Sequence, residues 1–305
     1  MRRDKTTMTI DELSAHCLAR LEAGLNILPD KGDEDASGTL LALWLKAAGQ
    51  APSRSASEPA EWPELTERER DLLDAMITDR LSGKPLAYII GRQVFMDLDF
   101  AVNPAALIPR KETELLAAAA IEKIASIDKS GAGVKLIDVC TGMGNLAISF
   151  ASRFSDLEVL ACDLSIDALT LARSNSVEFG VEGRILFADG DLLDPFDNPE
   201  HHGTADIIVC NPPYVPSAKV REMPIEISSH EPEMAFNGGE LGINIILKLI
   251  RESEKFLKTG GWLVFEIGAG QGNLLRKKLE RSKVFSVVDS KANDEGVIRV
   301  LMARK

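Results

Sequence analysis

The sequence predicts an α/β protein: a doubly wound, mostly parallel seven-stranded sheet, with a smaller N-terminal helical domain joined to it by a β-hairpin. Three observations carry this. From Val134 onward, short apolar runs alternate with helical stretches, the rhythm of a parallel sheet covered on both faces. Before residue 85 the apolar residues recur at helical spacing. Between the two, residues 86–103 approach a period of two, broken by Gly91 and Asp97.

In the N-terminal region Leu13, Cys17 and Leu21 share one helical face, and Leu40, Leu41, Leu43, Trp44 and Leu45 follow. Gly49 to Thr66 is rich in proline, serine and alanine. With Pro52, Pro59 and Pro63 it reads as a loop or an insertion within the helical domain. A helix is expected from Glu67 to Ser82, with Leu72, Leu73, Met76, Ile77 and Leu81 on one face. Thr66 and Glu69 stand at capping-box spacing, and Gly83 ends the helix. Tyr88 to Val102 suggests the hairpin, and Glu112 to Ile127 is helical again. Seven strands follow: Val134–Val139, Glu158–Cys162, Arg184–Phe187, Ala205–Cys210, Trp262–Ile267, Val284–Val288 and Val297–Met302. The last two are close enough to form a terminal hairpin. The expected domains are 1–85, a hairpin linker over 86–110, and 111–305.

Composition narrows the function. A 305-residue chain with 45% hydrophobic residues can fill a sizeable core, which excludes a disordered or low-complexity protein. The net charge of −12 disfavours a protein that lives on nucleic-acid phosphates. The cysteines Cys17, Cys140, Cys162 and Cys210 show no CxxC and no histidine at ligand spacing. Neither a disulfide framework nor a metal site is expected, and reduced thiols fit a cytoplasmic protein. No apolar run is long enough to span a bilayer, and the stretch from Met1 to Leu13 has no secretory core.

Two motifs carry the chemistry. Asp138-Val-Cys-Thr-Gly-Met-Gly-Asn-Leu-Ala147 directly follows a predicted strand and opens a helix. Gly142 and Gly144 let the backbone turn tightly and approach a ligand, where helix N-terminal amides also face. Asp163 lies nineteen residues after Gly144, at the end of the next strand, where a carboxylate can accept both hydrogen bonds of a ribose diol. Asp191 follows the third strand. Ordinary βα turns without a nucleotide are the plainer reading, and the strand–turn–helix context with its spaced acid favours the ligand.

The second motif is Asn211-Pro-Pro-Tyr214, after the strand Ala205–Cys210. Two prolines stiffen the backbone and remove two N–H donors. Asn211 adds a side-chain carbonyl, and Tyr214 a flat face. Together they describe a slot for a planar NH2 group: acceptors take its hydrogens while the ring stacks on its plane. A strand end running into a proline turn is the alternative on these four residues alone.

These residues resemble the amino-methylating S-adenosylmethionine-dependent methyltransferases. Gly83-Lys-Pro-Leu-Ala-Tyr-Ile-Ile-Gly91, then Phe95, Phe100 and Val102, then Ile108-Pro-Arg-Lys-Glu-Thr-Glu114 resemble the joint of the peptide-chain-release-factor glutamine N5-methyltransferases. So do His230-Glu-Pro-Glu-Met-Ala-Phe-Asn-Gly-Gly239 and Phe265-Glu-Ile-Gly-Ala-Gly-Gln271. The resemblance implies a Rossmann-like fold, S-adenosyl-L-methionine as cofactor, and a release factor as partner gripped by the helical domain. It implies Thr141, Gly142, Gly144, Asp163, Asp191 and Asn211 at the cofactor, and Asn211, Pro212 and Tyr214 at the reacting nitrogen, with Pro213 beside the substrate. The chain departs from the family at Lys111, Met143 and Leu241, and its ending Asp294–Val297 does not reproduce the family's arginine-containing stretch well.

Other residues are candidates for the substrate. Arg110 and Glu112 are placed near the cleft by the resemblance, or simply begin a helix. His230 could serve as a base or be ordinary surface. Glu226, Glu231 and Glu233 form an acidic run, either a solvated face or a clamp for a guanidinium. The alternative substrate is accordingly a free amino acid or small metabolite with an arginine guanidinium or an amide. Adenine methylation on nucleic acid ranks third, and a catalytically inactive cofactor-binding scaffold fourth.

Overall fold

Thr9 and Thr66 open their helices in the same way. Each accepts a hydrogen bond from the backbone of a glutamate three residues on, and that glutamate reaches back to the threonine N–H. Two otherwise orphaned amides are thereby satisfied at each helix start. The spacing anticipated this at Thr66; the box at Thr9 is an addition. The computed structural model describes residues 8–28, 31, 34–51, 62–127 and 133–305. The loop expected around Pro52 and Pro59 lies outside the described residues, as does the stretch 1–7.

The chain divides into two units, Met1–Asn103 with Ile225–His230, and Pro104–Pro224 with Glu231–Lys305. In the first, α1 (Ile10–Gly24), α2 (Ala36–Ala47) and α3 (Glu67–Leu81) pack around Leu13, Cys17, Leu21, Leu40, Leu43, Trp44, Leu73 and Ile77. Trp44 is fully buried, and its indole N–H donates to the Pro63 carbonyl at 2.9 Å, which removes the cost of burying that polar edge.

The stretch read as a hairpin begins instead with one helical turn, α4 (Leu86–Ile90), which follows Pro85 and stops at Gly91 in the left-handed region. Strands β1 (Arg92–Phe95) and β2 (Leu98–Ala101) then pair antiparallel. Met96 and Asp97 both have positive φ, the signature of a two-residue turn whose twist suits a hairpin. The hairpin groups with the N-terminal helices, and the unit boundary falls after Asn103. The short α9 (Ile225–Ser228) belongs to this unit too, although it lies far along the chain.

The second unit is the mostly parallel seven-stranded sheet that the alternation predicts. It contains β3 (Val134–Val139), β4 (Leu157–Asp163), β5 (Ile185–Asp189), β6 (Ala205–Cys210), β7 (Leu257–Glu266), β8 (Val287–Ala292) and β9 (Ile298–Arg304), in the order β5-β4-β3-β6-β7-β9-β8. The first five in that order run parallel, and β9 pairs antiparallel with both β7 and β8. Helices α5 (Lys111–Ser126), α6 (Asn145–Arg153), α7 (Ile166–Glu178), α10 (Asn244–Phe256) and α11 (Gly272–Arg281) accompany the sheet, and α8 (Ser217–Val220) is a single turn. Such central strands are apolar almost throughout because both faces are covered. β6 shows this, since Ile207, Ile208, Val209 and Cys210 are all fully buried.

Chain order reverses between β3 and β6: β4 and β5 build outward on one side, and the chain then returns to the other. Ligands of open parallel sheets bind at such a switch point, outside the carboxyl ends of the strands. The register fixes what lies there. Val139 is level with Cys162 and with Cys210, and Cys210 with Phe265. Residues 140–142, Asp163, Asn211 and Glu266 therefore leave the sheet along one edge.

Candidate active site

A cleft opens at this edge, with an empty volume of about 1040 Å³ including its mouth. That is the upper end of what a small-molecule site occupies. Of the residues expected from sequence, Arg110, Thr141, Gly142, Asp163, Asp191, Asn211 and Pro213 line it. Cys140, Met143 and Thr113 line it as well.

The glycine turn is organised by two acids. Gly142 has φ 56° and donates its N–H to Asp163 Oδ2 at 2.8 Å, while Asp163 Oδ1 accepts from Ser165 N at 2.9 Å. The carboxylate thus braces the turn and still faces the cleft with unused lone pairs. Burial raises its pKa, opposed by the hydrogen bonds from Ser165 and Gly142. Behind the turn, Asp138 is fully buried. Its Oδ2 accepts from Thr141 Oγ1 at 2.6 Å and from Ala147 N at 3.1 Å. Its Oδ1 has no hydrogen-bond partner among the described residues. Burial lifts the Asp138 pKa to about 7, against those two hydrogen bonds. Gly144 does not line the cleft. It caps α6 at φ 83°, where a Cβ would stand 3.0 Å from Ile148 and 3.2 Å from Ala172. Asp191 reaches the cleft rim and pairs with Lys248 at 2.7 Å.

Around the Asn211-Pro-Pro-Tyr214 segment, the side chains of Asn211 and Tyr214 are held in a connected network. Asn211 Nδ2 donates to Thr113 Oγ1 at 3.2 Å, and Thr113 Oγ1 donates to Glu266 Oε2 at 2.9 Å. The other oxygen of Glu266 accepts from the Tyr214 hydroxyl at 2.8 Å, and Arg299 donates to that hydroxyl at 3.1 Å. Burial, with Glu266 alongside, pushes the Tyr214 hydroxyl well above its ordinary pKa, so it stays a donor. Burial raises the Glu266 pKa, opposed by the hydrogen bonds from Tyr214 and Thr113. Glu112, in the first turn of α5, adds a smaller push in the same upward direction at both Tyr214 and Glu266. Pro212 is buried, and neither it nor Tyr214 lines the cleft. The turn carrying Gly238 and Gly242 is pressed against this segment: a Cβ on Gly238 would stand 2.6 Å from the Pro213 carbonyl oxygen, and one on Gly242 closer still to that of Tyr214.

The acidic run separates. Glu226 does clamp a guanidinium, and it is the chain's own: Arg80 lies 3.1 Å from Glu226 and 2.8 Å from Glu34, with Lys31 also on Glu226. All of this lies in the N-terminal unit, so the Glu226 carboxylate expected at the substrate is engaged by Arg80 and Lys31. Glu231 is buried and accepts from Ile108 N at 3.1 Å and from Arg110. Two residues expected to meet the substrate therefore meet each other, and only Arg110 reaches the cleft. Glu233 is exposed and accepts from Asn237 at 2.8 Å. His230 is half-buried and does not line the cleft.

The sequence reading quoted Thr113 and Glu266 only inside longer motifs, and found that Asp294–Val297 does not reproduce the family's arginine-containing stretch well. Arg299, two residues further on, occupies the network. The legible signal was Glu266 itself, an acid closing the apolar run Trp-Leu-Val-Phe, because a carboxylate so placed needs partners.

Comparison with known proteins agrees with this geometry. Residues 118–243 match the family described as methyltransferase small domain. The release factor glutamine methyltransferase of Thermodesulfovibrio yellowstonii is 31% identical over 80% of this chain and 85% of its own length. That of Koribacter versatilis is 35% identical over 79% and 82%. The human methyltransferase 10 domain containing protein shares the fold, with a TM-score of 0.50 at 16% identity over 68% of this chain and 88% of its own. With a glycine turn braced by Asp163, an Asn-Pro-Pro-Tyr segment beside it, and relatives aligned over most of their lengths, the chain belongs to the release factor glutamine methyltransferase family.

Proposed function

We propose that this enzyme moves a methyl group from S-adenosyl-L-methionine to the N5 amide nitrogen of a glutamine in a peptide chain release factor. The observation that carries this is the placement of Asn211 and Pro213 in the same cleft as Thr141, Gly142 and Asp163. The cleft fits the cofactor. Among the described residues nothing stands within 4 Å of where a Cβ on Gly142 would project, so a ligand can lie against the bare backbone. Asp163 offers acceptors for a diol, and Asp191 adds negative charge that suits a sulfonium and an ammonium. Thr141, Gly142, Asp163 and Asp191 would hold it, and the bound cofactor supplies an electrophilic methyl group.

The protein's own task is the nitrogen. An amide lone pair is delocalised into its carbonyl, so the nitrogen attacks poorly. Asn211 lines the cleft, and its Oδ1 accepts from the nitrogen, orients it and favours pyramidalisation. Positioning of this kind supplies several kcal/mol, up to about 7–11 in well-oriented cases. No strong base is required before attack, because the nitrogen becomes acidic once methylated.

A free amino acid would need charged groups for its ammonium and carboxylate. Of the three acids offered for that, Glu226 and Glu231 are engaged by Arg80, Lys31 and Arg110, and Glu233 accepts from Asn237 and does not line the cleft. Incubating the protein with labelled cofactor and a release factor, free arginine, free glutamine or DNA is the direct test. Label is expected in the release factor alone; label in free arginine or DNA, with none in the release factor, would overturn the assignment.

A further inference from the structure

A primary amide has two ends of similar shape and opposite polarity. Asn211 serves an incoming NH2 group only when its oxygen, and not its own NH2, faces that group. Something must set the sense of the side chain, because either orientation fills the same space.

Thr113 sits in the first turn of α5, buried, with its hydroxyl between Asn211 and Glu266. A hydroxyl has one hydrogen. Here it goes to Glu266 Oε2, which accepts it, while the other oxygen accepts from Tyr214 and faces the Arg299 guanidinium. What Thr113 turns toward Asn211 is therefore a lone pair, and the only part of the amide able to meet it is Nδ2, at 3.2 Å. The amide oxygen is left for the cleft that Asn211 lines. A reversed amide would set its oxygen against an oxygen lone pair in a partly buried site, where an unmatched polar contact is costly.

We infer that Thr113 and Glu266 are positioning residues that set the sense of the Asn211 amide, so that it accepts from the substrate nitrogen instead of donating to it. The inference rests on the proposed reading of Asn211 as an acceptor for the glutamine amide. Polarity passes from the Glu266 carboxylate through the Thr113 hydroxyl to Asn211, and neither Thr113 nor Glu266 needs to touch the reacting atoms.

The test uses the full chain, a release factor as methyl acceptor and labelled cofactor. Thr113→Val keeps the shape and removes both polar functions. It is expected to lower kcat roughly ten- to a hundredfold, the equivalent of losing one or two hydrogen-bond increments. The KM for the release factor and the cofactor Kd should stay within about twofold, since ground-state binding is untouched. Thr113→Ser restores the hydroxyl and should rescue turnover. Glu266→Gln can donate to Thr113 and let its hydrogen swing toward Asn211, so kcat should fall there too. The decisive arm is the double variant: in an Asn211→Ala background, Thr113→Val should cost nothing further, whereas a merely structural role would give additive losses. If T113V folds poorly, T113A is measured in the same cycle. Native kcat in T113V, or additivity in the double variant, overturns the relay. Native turnover in N211A alone would overturn instead the reading of Asn211 on which it rests.

Discussion

Glu226 Oε2 lies 3.1 Å from Arg80 Nη1, and the pair is closed off from water with Glu34 and Lys31 around it. The segment that follows Asn211-Pro-Pro-Tyr214 thus carries one acid whose partners all belong to the N-terminal unit. Removing a single partner from a buried ion network leaves an uncompensated charge. Glu226→Gln should therefore destabilise the protein by about 3–5 kcal/mol. Denaturant unfolding checks it, and native stability together with a raised KM would return Glu226 to the substrate site.

Asp163 holds the glycine turn through Gly142 N and Ser165 N. Asp163→Ala should weaken cofactor binding by about 1.5–3 kcal/mol through lost charged hydrogen bonds, with some added loosening of the turn. Calorimetry with the cofactor measures this directly; an unchanged Kd would remove Asp163 from the cofactor site.

Asn211→Ala should cut turnover far more than cofactor affinity, because its acceptor matters most as the nitrogen pyramidalises. Steady-state rates and calorimetry on the same preparation separate the two. Weakened cofactor binding with normal turnover at saturation would make Asn211 a cofactor ligand only.

Gly238 is required by closeness and not by backbone angle: a Cβ there would stand 2.6 Å from the Pro213 carbonyl oxygen. Gly238→Ala should push the Asn-Pro-Pro-Tyr segment aside, costing about 1–3 kcal/mol of stability, as overpacked sites do. Turnover should fall more steeply than thermal stability. A fully active G238A would mean that the segment tolerates displacement.

Asp138 titrates near 7 when folded, above its ordinary 3.8, chiefly through burial. The folded state therefore binds the proton more tightly than the unfolded chain does. Its contribution to stability is complete below pH 3.8 and is lost progressively as pH rises to about 7. Asp138→Asn is neutral throughout, keeps an acceptor for Thr141 and Ala147, and puts an NH2 where Oδ1 lacks a partner. Its stability relative to the native protein should rise between pH 4 and 7. Unfolding curves across that range test the sign, and parallel pH profiles would contradict it.

Much of the architecture was readable in the chain because its signals are local. The buried strands read as continuous apolar runs, the helices repeat their apolar faces, and Thr66 with Glu69 marks a helix start. The cleft was readable for a related reason. The ends of β3, β4 and β6 carry their chemistry in consecutive residues, so Gly142, Asp163 and Asn211 could each be named from a strand end and a spacing. Of the departures from the family pattern, only Met143 lines the cleft; Lys111 and Leu241 are exposed.

Partnerships across long separations were beyond that reading. A glutamate is equally written whether it faces water, a substrate or an arginine 146 residues away, as Glu226 does with Arg80. Thr113, Tyr214, Glu266 and Arg299 come from four distant segments, and their hydrogen bonds exist only once β7, β9 and α5 have packed. Charge and hydrogen-bonding capacity belong to each residue alone, so composition and spacing reveal them. Which donor meets which acceptor depends on sheet register and burial, and water would satisfy every one of those groups in the unfolded chain.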